Sequence, residues 1–262
     1  MLRLLMMLVL VAPLLAVQPL QAALLSADEV IERANQAAYY AGNDGRADVK
    51  MTITSKDGSV RRREFTILRL NTKNGNQKFY TYFKAPADVY KMAYLVWKNV
   101  DGDDDRWLWL PALNLKKRIA PGDKRTSFVG SDFVYEDVSG RNIHADKHTM
   151  LEQGDGYYLI DNTPVDAAAV EFSHYTVKID ATTFLPMLAE YYDHSGRLYR
   201  RVEARKVALV QGYPTVMVSQ VSDLGSGSNT RNEFSNVRYN IGLKERIFSE
   251  RFLRRPPREV TR

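Results

Sequence analysis

The sequence contains no cysteine. Disulfides, thiolate metal sites and a lipid anchor carried on cysteine are all excluded, so the chain must hold together on its apolar core. Histidine is scarce: only His144, His148, His174 and His194 occur. His144 and His148 are four apart, which suits a metal pair on a helix, but no H-E-x-x-H surrounds them, and loop or surface imidazoles are the simpler reading. There is no G-x-S-x-G (the stretches GSDF and GSGS do not match it) and no Gly-rich phosphate loop after a strand. Nor can a carboxylate pair be located. The sequence therefore names no catalytic residue, no metal site and no cofactor, and it reads as a non-enzyme. Excess charge of one sign is also small, 37 Lys and Arg against 31 Asp and Glu. With no nucleic-acid motif, that excess serves solubility or a weak attraction to anionic head groups or an acidic partner.

Beyond the N-terminus there is no long apolar run. The chain opens MLRLLMMLVLVAPLLAVQPLQAALLSADEV, with Arg3 as its only charge before Asp28. The run from Leu4 is broken by Pro13 and followed by small residues near Ala22 and Ala23. It is too short and broken for a membrane span and reads as a cleaved signal peptide over residues 1–22. The expected product is a soluble periplasmic protein, residues 23–262, forming one domain with a basic C-terminal tail.

One helix stands out. Ser26-Ala27-Asp28-Glu29 is a capping box with Ser26 as N-cap, and Val30, Ile31, Ala34, Ala37 and Ala38 recur at helical spacing towards a stop near Gly42. After that the pattern is strand. ADVKMTITSKDGSVRRREFTILRL is a hairpin turning at Asp57-Gly58. Strands follow in QKFYTYFKAP, KMAYLVWKNV and RWLWL, then over 157–161, 172–180, 186–193, 197–209, 213–221 and 229–239. Strands of this length and spacing predict a mainly β protein, one curved antiparallel sheet or open barrel, with the N-terminal helix over its concave side. Residues 114–148 read as a long irregular loop, and such loops are often functional.

The aromatic strands carry the most information. DRWLWLPALNLKKRI presents apolar side chains to both faces, since Trp107 and Trp109 alternate with Leu108 and Leu110. A strand apolar on both faces is covered on both sides, either by an ordinary two-layer core or, on one face, by a cavity for an apolar ligand. Phe79, Phe83, Tyr94, Trp97, Trp107 and Trp109 are the cavity candidates, with the lining face left open. Lys116, Lys117 and Arg118 form either a charged edge strand or a basic rim that meets lipid phosphate or an acidic partner. The acidic run DGDDD lacks the spacing of a calcium loop and reads as a solvated hairpin turn.

Residues 105–138, DRWLWLPALNLKKRIAPGDKRTSFVGSDFVYEDV, resemble the signature segment of the LolA-like outer-membrane lipoprotein-sorting protein family, in the subfamily associated with RND-type transporters. The matching positions are Trp107, Trp109, Leu110, Pro111, Ala112, Leu113, Arg118 and Ile119, then Ser127, Phe128, Gly130, Ser131, Asp132, Phe133, Tyr135, Glu136 and Asp137. YFKAPADV and YYDHSGRLYRR also fit the family layout, while Met92-Ala93 departs from the Gly-Thr of many relatives. The resemblance implies an incomplete β-barrel closed by helices. It implies a periplasmic carrier of a lipid or lipid-modified protein, touching membrane surfaces transiently and working beside an RND-type inner-membrane transporter. The alternative is an accessory subunit that carries nothing and regulates the transporter. Asp132, Glu136 and Asp137 are expected to pair with Arg118, Lys124 or Arg125.

Overall fold

A computed structural model describes residues 25–261, and the expected signal peptide lies outside these described residues. Among the described residues, thirteen strands form one antiparallel sheet. They are β1 (Asp44–Thr54), β2 (Val60–Asn71), β3 (Gln77–Ala85), β4 (Ala93–Lys98), β5 (Asp105–Leu110), β6 (Leu115–Ile119), β7 (Asp146–Gly154), β8 (Tyr157–Pro164), β9 (His174–Asp180), β10 (Pro186–Tyr192), β11 (Leu198–Val210), β12 (Tyr213–Asp223) and β13 (Ser228–Tyr239). The order is β6-β5-β4-β3-β2-β1-β13-β12-β11-β10-β9-β8-β7, so β6 and β7 are free edges and the sheet is not closed. Both edges fall inside, or border, the stretch expected to be irregular, and β6 is the charged run Leu115–Ile119. Short β6 has too little apolar alternation to stand out. Its exposed lysines suit an edge that must not pair with other chains.

Helix α1 (Ala27–Tyr39) begins at the expected capping box, with Ser26 Oγ accepting from Glu29 N. It stops at Tyr40, before Gly42. Val30, Ile31 and Ala34 bury against Tyr158, Ile160, Val177 and Ile179 of β8 and β9. The segment 120–145, containing α2 (Tyr135–Ser139), runs from edge strand β6 to edge strand β7 and packs on the same inner face.

The outer face answers the two-faced strand. Residues 240–261, with α3 (Arg251–Arg254) and α4 (Arg258–Thr261), pack across it. Leu243, Ile247, Phe248, Leu253 and Val260 bury against Leu68, Tyr80, Leu95, Trp107 and Trp109. Tyr80 OH donates to the Phe252 carbonyl at 2.7 Å, and Trp97 Nε1 donates to the Phe248 carbonyl at 2.8 Å. The Asp44 carboxylate accepts backbone N–H bonds from Ile241, Gly242 and Leu243 at 2.7, 2.9 and 2.9 Å, fixing where the segment leaves β13. The basic C-terminal stretch is therefore a packed layer as well as a charged surface.

The acidic turn differs from a purely solvated one. The Asp104 side chain is only 8% exposed, and Arg106 Nη2 lies 2.6 Å from its carboxylate. Alternation places Arg106 opposite Val96, on the inner face, where only a paired cation is tolerated.

Candidate functional site: an apolar hollow

Thr81 of β3 and Val177 of β9 line one cavity. In a flat sheet the seven strand spacings between them would span roughly 34 Å. The sheet therefore curls around a hollow of about 470 Å3, roofed by α1 and the 120–145 segment. Ile31 and Ala34 line it from α1, Met51 and Phe79 from one side of the sheet, and Ile179 and Val202 from the other. This volume falls within the roughly 300–1,000 Å3 of small-molecule pockets, and the lining is mainly apolar. Two wall atoms, Thr81 Oγ1 and Asn232 Oδ1, are buried with no hydrogen-bond partner among the described residues.

The signature residues build the roof. Ser127 Oγ donates to the Ser131 carbonyl at 2.6 Å, and Ser131 Oγ donates to the Phe128 carbonyl at 2.7 Å. The tight turn between them needs positive φ at Val129 (53°) and Gly130 (71°). The turn drives Phe128 inward, where its ring meets Phe65, Phe83, Tyr94 and Tyr135 at 6.5, 5.9, 5.3 and 5.7 Å. Phe133 and Tyr135 join the same cluster. Asp132 reaches back to β13, accepting from Thr230 Oγ1 at 2.6 Å and from Ser228 Oγ. The signature thus fills the hollow over β2–β5 and leaves the remaining space open.

One wall of the cavity is charged. Glu136 is 3% exposed. Arg125 and Arg141 lie 3.3 and 3.4 Å from its carboxylate, and Lys124 lies 3.6 Å away. Burial works against the charged carboxylate, yet Arg125, Arg141 and Lys124 together hold it below the usual range. Arg125 also pairs with Glu171 at 2.7 Å, Arg141 with Asp146 at 2.7 Å, and Arg200 with Asp137. Rings separate the cations: Arg125 and Arg141 stack 5.1 and 5.3 Å from Phe172, and Arg125 and Arg200 lie 5.3 and 5.1 Å from Tyr191. The network braces the roof against β7, β10 and β11. The expected partners Lys124 and Arg125 are in it, whereas Arg118 is not. Arg141, Asp146 and Glu171 carry no sequence signal, because isolated charges far apart in the chain have no periodicity to betray them; Arg200 is marked only by lying in the YYDHSGRLYRR stretch that fits the family layout.

The cavity candidates divide by strand alternation. Phe79 lines the hollow. Phe83 and Tyr94 face the same way but lie under Phe128. Because Tyr94 opposes Thr81 and Leu108 opposes Tyr94, their neighbours Trp97, Trp107 and Trp109 must point outward. These three do not line the hollow; they form the floor for the C-terminal segment, with Trp97 and Trp107 edge-on at 4.8 Å. In the basic run, Lys116 pairs with Glu250 and Arg118 with Asp105. Lys117 lies opposite Leu108 and makes no ion pair among the described residues. His148 spends both ring nitrogens on Asn162 and Ile143, at 2.8 and 3.0 Å.

An open, curved antiparallel sheet wrapped around an internal, mainly apolar cavity defines the fold class of the described residues. A model for a family of uncharacterized proteins matches residues 75–255, and the chain belongs to that family. It is similar to a DUF1329 family protein from Desulfovibrio piger, at 28% identity and a TM-score of 0.79 over 87% of this chain and 97% of that one. It is also similar to a domain from Vibrio parahaemolyticus assigned to outer-membrane lipoprotein sorting, at 26% identity and a TM-score of 0.79, covering 87% and 98%. A LolA superfamily protein from Nitrosomonas europaea, 18% identical, shares the fold with a TM-score of 0.68, covering 87% and 100%. No curated protein matches.

Proposed function

We propose that this protein is a periplasmic carrier that shelters the acyl part of a lipid or lipid-modified protein in its hollow. The observation that carries the proposal is the 470 Å3 mainly apolar cavity held open between a curled sheet, α1 and a pinned roof. The lipoprotein-sorting assignment of the Vibrio parahaemolyticus domain supports it. So does the energetics: each buried methylene is worth about 0.8 kcal/mol, so a dozen offset roughly 10 kcal/mol of extraction from a membrane without specific chemistry. Work beside an RND-type transporter rests only on the resemblance of residues 105–138.

A second reading is favoured by Phe128, Phe133 and Tyr135, which already occupy part of the hollow. On that reading the protein is an accessory subunit that docks on a transporter and carries nothing. Native mass spectrometry of the protein taken from its own periplasm separates the two. A co-purifying lipid mass supports the carrier; an empty protein that also takes up no added fluorescent phospholipid supports the accessory subunit.

A further inference from the structure

The most exposed large apolar side chain on the sheet is Leu209, 72% exposed, near the tip of the β11–β12 hairpin. Val207, 37% exposed, precedes it. Their cross-strand partners are informative. Leu209 lies opposite Pro214 and Val207 opposite Val216, and the run of Pro214, Thr215 and Val216 lines the hollow. Directly opposed residues in an antiparallel pair share a face. The apolar lining therefore does not stop at the cavity but continues onto an open hairpin.

Simple alternation would not do this. Ala204 lines the cavity, so unbroken alternation would turn Lys206 and Ala208 to the same face and send Val207 and Leu209 outward. The register shifts between Ala204, Lys206 and Val207. That irregularity re-aims the strand, as bulges beside binding sites do, and keeps apolar side chains on the cavity face. Positive charge flanks the apron. Lys206 and Arg238 are exposed and make no ion pair among the described residues, while Arg205 is paired with Glu203 at 2.8 Å. An apolar tip with cations beside it matches the interface of an anionic bilayer, where side chains reach the acyl boundary and ammonium or guanidinium groups meet phosphate.

We infer that the β11–β12 hairpin is the element that docks on an anionic phospholipid membrane and forms the ramp by which an acyl chain enters the hollow. This rests on the carrier reading above for the ramp; the membrane contact stands apart from it and is tested apart. Because the chain has no cysteine, Leu209→Cys and, at the opposite rim, Leu113→Cys each give one labelling site for an environment-sensitive fluorophore. Leu113 is 69% exposed beside the basic edge strand β6. Mixed with phosphatidylglycerol–phosphatidylethanolamine vesicles, the Leu209→Cys label should shift to the blue and the Leu113→Cys label should not. Pure phosphatidylcholine vesicles should give a weaker shift. A shift at Leu113 alone overturns the proposal in favour of the edge strand. A shift at Leu209 that grows with protein concentration without vesicles overturns it in favour of a second copy. In a parallel assay, Leu209→Asp should slow transfer of a fluorescent phospholipid from the vesicles about tenfold or more, with affinity for the detergent-dispersed probe and the melting temperature unchanged. Native-rate transfer by Leu209→Asp overturns the ramp. If the native protein takes up no probe in either form, the carrier reading and the ramp fall together, while the vesicle shift at Leu209 still decides the docking.

Discussion

Thr230 and Asp132 hold each other twice: Thr230 Oγ1 donates to the Asp132 carboxylate at 2.6 Å and accepts from the Asp132 backbone N–H at 3.0 Å. Thr230 is fully buried on the inner face of β13, ninety-eight residues along the chain from Asp132. This is the pin that holds the roof turn over the hollow. Asp132→Ala should leave the buried Thr230 hydroxyl without its acceptor and cost about 1–3 kcal/mol. Urea denaturation reads the loss, and hydrogen exchange should rise first in residues 126–134. Uniform exchange across the whole chain would contradict the pin.

Gly140 follows α2 with φ at 78°, and a Cβ there would sit 2.6 Å from the Tyr39 ring at the end of α1. Two roof elements meet because this position has no side chain. Gly140→Ala should cost at least about 1–3 kcal/mol from the backbone alone, with the ring contact added. A melting temperature within a degree of the native value would show that α1 and α2 can separate freely.

The two faces of the aromatic strands should respond differently to mutation. Trp109 is buried under the C-terminal layer, with the Arg254 guanidinium 5.0 Å from its ring. Trp109→Ala should cost about 3–5 kcal/mol and leave probe affinity per folded molecule unchanged. Ala189 lines the hollow. Ala189→Trp should reduce probe uptake several-fold by occupying that volume, at a stability cost of no more than about 1–3 kcal/mol. Equal loss of binding in both variants would mean that the outer aromatic layer also takes part in uptake.

Lys98 gives a pH signature. It is 3% exposed, and its ammonium donates to the Ser139 carbonyl at 2.8 Å. Burial pushes its pKa down to about 8, against the pull of Asp104 and Glu136. Below that pH the lysine is charged in both states and the burial cost is fully present. Between about 8 and its ordinary 10.5, the unfolded chain keeps a proton that the native protein has lost, so stability rises with pH. Lys98→Met should flatten that rise. Urea midpoints at about pH 7.5 and 9.5 check it, and an unchanged slope in the variant would assign the rise to other groups.

Local chemistry was enough to determine much of this protein. The capping box at Ser26 and Glu29, the Asp57-Gly58 hairpin and the alternating strands are set by neighbours a few residues apart, and the structure keeps them. The signature segment could be recognised for the same reason, since its turn at Val129 and Gly130 and its inward aromatics are consecutive in the chain. The alternation of Trp107 and Leu108 showed that both faces of β5 are buried; only the tertiary structure decided which face turns to the hollow. That choice depends on where residues 120–145 and 240–261 come to lie, and each packs against strands distant in the chain. The charged brace of Arg125, Arg141 and Arg200 likewise exists only once the sheet curls and brings four separate segments together. The register shift that turns Val207 and Leu209 to the cavity face leaves no mark in composition or spacing, because a bulge is a property of two paired strands and not of either one alone.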